Sequence, residues 1–132
     1  MPTIVNWPGK LKPGKCTSPA QITDWMPTLC GLAHHKPGRD LNWDGTNIWP
    51  VLAAEAKRES HPLYWVAPGY NARAVRDGDW KLIVHGKQKP AKIELFNLSS
   101  DPNETTNLAP QMQGKVGDLQ RTLAEFARVD RE

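Results

Sequence analysis

The Asp77-Gly78 pair, which lies between two strand-like runs, constrains the fold of this chain more than any other short feature. Asp-Gly between alternating apolar residues is the strongest short signal for a two-residue β-hairpin turn. Residues 72–76 and 79–85 flank the pair and predict its two arms. Side chains two apart on a strand share one face, and in the second arm these are Trp80, Leu82 and Val84.

Two further runs extend this hairpin into a sheet. Residues 62–66 ("PLYWV") and 92–98 ("KIELFNL") are rich in strand-forming residues. Apolar residues then recur every three or four positions, which predicts a helix over about 111–128. The pattern indicates an α+β fold, in which a small four-stranded antiparallel sheet is packed by this C-terminal helix.

The N-terminal part of the chain is less regular. Residues 3–7 ("TIVNW") predict a short strand, and the apolar spacing from residue 22 predicts a helix over about 24–33. Residues 34–61 read as a long connection with one helical turn near 48–55. We therefore divide the chain into residues 1–60 and 61–132.

Composition narrows the class of partner. The 132 residues carry a net charge of +3 and no run of five like charges, which favours anionic partners but lacks the clustered basic face of a nucleic-acid binder. No apolar run approaches the length that crosses a membrane. Cys16 and Cys30 could form one disulfide or remain thiols, and spacing alone does not decide between them.

The sequence contains no recognisable catalytic or metal-binding motif. Its serines lie in predicted loops without the Gly-x-Ser-x-Gly elbow of a hydrolase, and no phosphate-binding loop or dinucleotide fingerprint occurs. His34 and His35 are adjacent, so in regular structure they point in different directions. Asp77 and Asp79 lack the remaining acids of a calcium loop. We predict no catalytic and no metal-ligating residue.

Two arginines beside the hairpin are the best candidates for ligand binding. Arg73 and Arg76 are three positions apart, so on a strand they face opposite sides, and Tyr70 precedes them. The guanidinium fork suits sulfate, phosphate or carboxylate. The competing interpretation is that each arginine pairs with a local acid, such as Asp77 or Asp79, or is solvated.

Six segments occur in a specific order: "PTIVNWPGKLKPG", "ITDWMPTLCGLA", "DGTNIWPVL", "HPLYWV", "RAVRDGDWKLI" and "ELFNLSSDPNETTNLA". Together they resemble the C-terminal part of the formylglycine-dependent sulfatases, in the alkaline-phosphatase-like superfamily. The resemblance extends from residue 2 to about residue 126. It implies that the strand and helix near the N-terminus are left over from a large α/β sulfatase domain.

Sulfatases of this type hydrolyse sulfate esters with a formylglycine, made from a Cys/Ser-x-Pro-x-Arg motif, and a calcium ion. Cys16 is followed by "TSPA" and Cys30 by "GLAH", so neither fits the motif. The resemblance therefore implies that this chain has no cofactor of its own and is inactive without an N-terminal catalytic domain. It also implies a contribution to the substrate pocket, with Tyr70, Arg73 and Arg76 as candidates for binding a sulfated carbohydrate. Family members are often periplasmic, secreted or lysosomal.

Separation from a catalytic domain has a physical consequence. Apolar side chains of the strand and helix, such as Ile4, Val5, Trp25 and Leu29, would lose their cover, and exposed apolar patches promote association. We expect self-association through residues 1–35, or a partner chain.

Three other interpretations stay open at this stage. The chain can be a stand-alone module that binds sulfated or anionic glycans through Arg73 and Arg76. It can belong to a phosphatase or phosphonate hydrolase of the same superfamily, or have no independent role.

Overall fold

A computed structural model describes residues 3–55, 61–86, 90–128 and 130 of the chain. The chain divides into two compact units, Met1–Glu59 and Ser60–Glu132, and each is considered by itself. No helix within the described ranges has the length and apolar character needed to cross a bilayer.

Two short helices form the regular part of the first unit. A single 3-10 turn at Ile22–Asp24 leads into α1, Trp25–Leu32, and α2 follows at Trp49–Leu52. The predicted helix over 24–33 and the predicted helical turn near 48–55 are therefore confirmed. Pro27 lies in the first turn of α1, where its missing N–H costs no intrahelical hydrogen bond.

The predicted strand over residues 3–7 is wrong. These residues have no regular secondary structure, and Ile4 is 94% exposed. A strand is stabilised by backbone hydrogen bonds to a neighbouring strand, and no described residue pairs with this segment. The segment has strand-forming residues, but the described residues include no neighbouring strand with which it could pair.

A buried carboxylate holds the first unit together. Asp24 is fully buried; its Oδ2 accepts the backbone N–H of Gln21 at 2.9 Å, and its Oδ1 accepts that of Thr46 at 2.9 Å. The loop before α2 is thereby fastened to the start of α1. It passes so close that a Cβ on Gly45 would lie 2.2 Å from the carbonyl oxygen of Thr23, so only glycine fits there.

Replacing this carboxylate should destabilise the first unit. In Asp24→Ala, the backbone N–H groups of Gln21 and Thr46 lose their buried acceptor, and we expect a loss of about 2 kcal/mol in the free energy of unfolding. Urea titration followed by tryptophan fluorescence measures it. The matched control is Asp40→Ala, because Asp40 is exposed and, among the described residues, accepts a hydrogen bond from the N–H of Asn42 alone. Equal stability of the two variants would contradict the role of Asp24.

The second unit contains the four predicted strands, and the prediction is confirmed. They are β1 (Leu63–Val66), β2 (Ala72–Asp77), β3 (Trp80–His85) and β4 (Lys92–Asn97), all antiparallel and in sequence order. Asp77 pairs with Trp80 across the Asp-Gly turn, and Gly78 has the positive φ of 56° that such a turn requires.

The C-terminal helix packs on one face of this sheet. This helix, α3, runs over Gln113–Ala127, close to its predicted bounds. Tyr64 on β1 stacks on Phe126 near the end of α3, with ring centroids 5.6 Å apart. The core between sheet and helix consists of Val75, Leu82, Leu95, Ala109, Val116, Leu119 and Leu123. The apolar seam of α3 was correctly predicted, and among the described residues of this unit no helix packs on the opposite face of the sheet.

Candidate functional site

The sheet face opposite α3 contains a groove of about 530 Å³, which we call the open-face groove. Strand alternation directs Trp65, Ala74 and Ile83 to this face in one cross-strand row. Trp65 is 41% exposed, although a ring of that size is normally buried. The residues that line the groove include Trp65, Ala74, Arg76, Lys81, Ile83 and Leu98.

Three basic residues, Arg73, Arg76 and Lys81, line the open-face groove, and strand alternation places the side chains of Arg76 and Lys81 on its face of the sheet. Arg76 donates its Nε–H to the carbonyl oxygen of Gly78 at 2.9 Å, which fixes one side of the guanidinium. Lys81 Nζ donates to both carboxylate oxygens of Glu104, at 2.6 and 2.8 Å. The groove therefore combines an apolar floor with a guanidinium and a neutralised ion pair.

The loop after β4 supplies Glu104, in an arrangement that the sequence did not predict. The Asp101 carboxylate accepts the backbone N–H groups of Thr105 and Thr106, at 2.8 and 2.9 Å. These backbone hydrogen bonds, Thr106 first, lower the pKa of Asp101. Glu104 has a positive φ of 56°, and its side chain pairs with Lys81 instead of reaching back to Asp101.

Arg73 lies on the helix-packed side of the sheet. Its Nε–H donates to Asp130 Oδ2 at 2.8 Å, and the same oxygen accepts the hydroxyl of Tyr64 at 2.7 Å. The guanidinium carbon also lies 5.3 Å from the ring centre of Tyr70. The acid that pairs with Arg73 is thus Asp130, 57 residues away, rather than the nearby Asp77 or Asp79 of the competing interpretation.

This cluster perturbs its titratable groups. The hydrogen bonds from Tyr64 and from Arg73 lower the pKa of Asp130. Burial, followed by the hydrogen bond to Asp130, raises the pKa of Tyr64, and the carboxylate raises that of Arg73. Of the three candidate binding residues, Tyr70 and Arg73 therefore lie together, whereas Arg76 projects from the opposite face.

A second polar cluster on the open face escaped the sequence analysis. His85 Nε2 lies 2.7 Å from Glu94 Oε2, and Lys92 Nζ lies 2.8 Å from Glu94 Oε1. The hydrogen bonds from Lys92 and then from His85 lower the pKa of Glu94. His85 pairs with Lys92 across β3 and β4, so only the strand register reveals that the three side chains meet.

Metal-ligating and nucleophilic groups are dispersed. Across residues 3–55, 61–86, 90–128 and 130, no group of three or more His, Cys, Asp or Glu side chains is placed to hold a metal ion. Cys16, which is exposed, and Cys30, which is half-buried, are both free thiols. The site features of the described residues are thus the open-face groove and the two polar clusters.

Comparison with known proteins identifies the family. The family model of N-sulphoglucosamine sulphohydrolase, C-terminal, matches residues 1–129. The chain belongs to this sulfatase family. Arylsulfatase K of Xenopus laevis is 27% identical over 98% of the chain, and the choline-sulfatase of Rhizobium meliloti (strain 1021) is 31% identical over 96%.

Solved structures agree with this assignment. The crystal structure of Ps i-CgsB in complex with k-i-k-neocarrahexaose superimposes on this chain with a TM-score of 0.74 and 26% sequence identity. The match covers 92% of this chain and 27% of the Ps i-CgsB chain. The matches to arylsulfatase K and choline-sulfatase cover 26% and 24% of those proteins. The chain thus spans about a quarter of the length of the relatives that it matches.

The Asp130 cluster should make the stability of this sulfatase domain depend on pH. Because the pKa of Asp130 is lowered on folding, its stabilising contribution is complete above the unfolded pKa, about 3.9. The contribution is lost as the pH falls through the lower, folded pKa. We expect Asp130→Asn to cost about 1 kcal/mol at pH 7, and the difference from the wild type to shrink in acid.

Urea denaturation at pH 7 and in acid measures this difference. Asp118→Asn is the control, since Asp118 pairs with Arg121 on the exposed side of α3, where an ion pair contributes little. A pH-independent difference for Asp130→Asn would rule out the linkage.

Proposed function

We propose that this chain is the C-terminal part of a sulfuric ester hydrolase, inactive alone, which contributes to the substrate pocket and to the stability of the whole enzyme. The observation that carries this proposal is the family match over residues 1–129, in relatives of about four times the length. The substrate of the whole protein is proposed as well, because the identity to these relatives is 27% and 31%.

Uncovered apolar surfaces support a large partner domain. In the first unit, Ile22, Met26 and Leu29 are all exposed, Ile22 by 81%. Their spacings of four and three place them along one side of the helical segment. In the second unit, the open-face groove exposes Trp65. Apolar patches of this kind mark interaction surfaces, and the natural occupant is the catalytic domain that the relatives carry.

The catalytic domain would supply the formylglycine nucleophile and the calcium ion, for which this chain has neither a motif nor a ligand cluster in its described residues. The role of this chain is to bind and orient an anionic substrate. Arg76 is suited to a sulfate group, because a guanidinium donates parallel hydrogen bonds. Arg73, already bound to Asp130, would position Tyr70 at the edge of the pocket.

A sulfated carbohydrate is the proposed substrate. One relative is named a choline-sulfatase, and the family takes its name from N-sulphoglucosamine sulphohydrolase. The solved structure of Ps i-CgsB contains k-i-k-neocarrahexaose. The choline-sulfatase supports a sulfate group in the substrate. The two carbohydrate names support a sugar as the part that carries it.

The isolated chain should not hydrolyse a chromogenic aryl sulfate. We expect no turnover above background by the purified 132-residue protein, because its sequence has no formylglycine motif and its described residues hold no metal-ligand cluster. A chimera in which this chain replaces the C-terminal quarter of the choline-sulfatase should hydrolyse the sulfate ester. The choline-sulfatase truncated before that quarter should not. Turnover by the isolated chain would refute the proposal.

Calorimetry with a sulfated oligosaccharide separates this function from a stand-alone glycan-binding module. The module requires binding by the isolated chain that Arg76→Ala removes and the exposed control Arg39→Ala does not. If the chain is instead part of an enzyme, the chimera is active, and Arg76→Ala raises the KM of the chimera.

Self-association is a second consequence of the uncovered helix. We expect the isolated chain to form oligomers at micromolar concentration, and Met26→Glu to reduce them, since a charge on the apolar side of α1 opposes its burial. Light scattering and binding of a hydrophobic dye measure the effect. Gln120→Glu, on an exposed position of α3, is the control. A clean wild-type monomer that binds no dye would contradict the expectation.

A further inference from the structure

The first unit contains an aromatic pocket that neither the family assignment nor the proposed function uses. It has a volume of about 430 Å³, within the range of small-ligand sites. Trp7 and Trp49 form its aromatic part, with ring centroids 5.4 Å apart and planes tilted by 57°. Trp7 is 42% exposed, so a large aromatic surface remains available to a ligand.

Hydrogen bonds fix the backbone on which Trp49 lies. Ile48, directly before α2, donates its N–H to Thr28 Oγ1 at 2.9 Å. Thr28 is fully buried and donates in turn to the carbonyl oxygen of Asp24 at 2.6 Å. Trp49 donates its own N–H to Asn47 Oδ1 at 2.9 Å. Such support holds a binding group in place and lowers the entropic cost of binding.

The rim of the pocket carries polar groups of opposite charge. Lys10, His34 and Glu55 line it, and their side chains have no hydrogen bond or ion pair to any other described residue. His34 has a positive φ of 52°, and strained backbone of this kind is often found at ligand sites. The rim therefore offers a cation donor, an anion acceptor and an imidazole, with little net charge.

We infer that this pocket binds a neutral sugar ring. The C–H face of a sugar packs on the electron-rich face of an indole, while its hydroxyl groups both donate and accept hydrogen bonds, as the rim of Lys10, His34 and Glu55 requires. A sulfate group would be attracted to Lys10 but repelled by Glu55. The site is therefore a carbohydrate-binding platform, distinct in its chemistry from the cationic open-face groove.

Nuclear magnetic resonance of the ¹⁵N-labelled 132-residue chain tests this site, because each tryptophan gives its own indole signal. The probes are the neutral sugars lactose and cellobiose. We expect dissociation constants of about 1 mM, which correspond to a binding free energy of roughly 4 kcal/mol. We expect the signals of Trp7 and Trp49 to shift, and those of Trp43 and Trp65 to stay. If neither sugar shifts the signals of Trp7 and Trp49, the inference is overturned. That result is expected if the natural occupant of the pocket is a protein segment.

Matched variants assign the binding groups. Trp7→Ala should weaken binding by about tenfold or more, whereas Trp43→Ala, at an exposed tryptophan outside the pocket, should leave it unchanged. Lys10→Ala should weaken binding and Lys12→Ala should not, which keeps the test valid if Trp7→Ala unfolds. Equal effects within either pair overturn the inference. Tighter binding of glucose 6-sulfate than of glucose overturns the assignment to a neutral ring.

Discussion

The packing of α3 on the two central strands is the interaction on which the second unit depends. Val75 and Leu82 face each other across β2 and β3 and are buried with Leu119 of the helix. A four-stranded sheet with one apolar face needs such a cover to be stable. Because α3 covers only one face, the same packing leaves the other face of this unit with its groove, where Arg76 and the Lys81–Glu104 ion pair lie.

Loops fasten the edges of this core. Asn107 accepts the N–H of Leu95 at 3.0 Å and donates to the carbonyl oxygen of Ile93 at 3.1 Å. The segment after β4 therefore supplies hydrogen-bond partners for backbone groups on the outer edge of that strand. The same segment places Glu104 against Lys81. An exposed strand edge favours unwanted pairing, and the loop covers it while shaping one side of the groove.

Strand and helix positions were predictable where a local pattern and a local partner coincide. The hairpin around Gly78 is an example, because its turn geometry and its two arms are adjacent in the chain. The strand expected at residues 3–7 has the same residue types but depends on a distant neighbour. Among the candidate binding residues, the alternation of Arg73 and Arg76 followed from their spacing. The pairing of Arg73 with Asp130 did not, since a helix of unknown placement separates them.

The sequence alone determined the order of the four strands, the apolar seam of α3 and the resemblance to sulfatases, because each depends on residue type and spacing. Only the tertiary structure decided which groups meet, such as Trp7 with Trp49, or His85 with Glu94. Those contacts depend on strand register, buried hydrogen bonds and loop paths, which are set by the packing of the whole unit. A binding surface is made of such contacts, and so its composition appears only after folding.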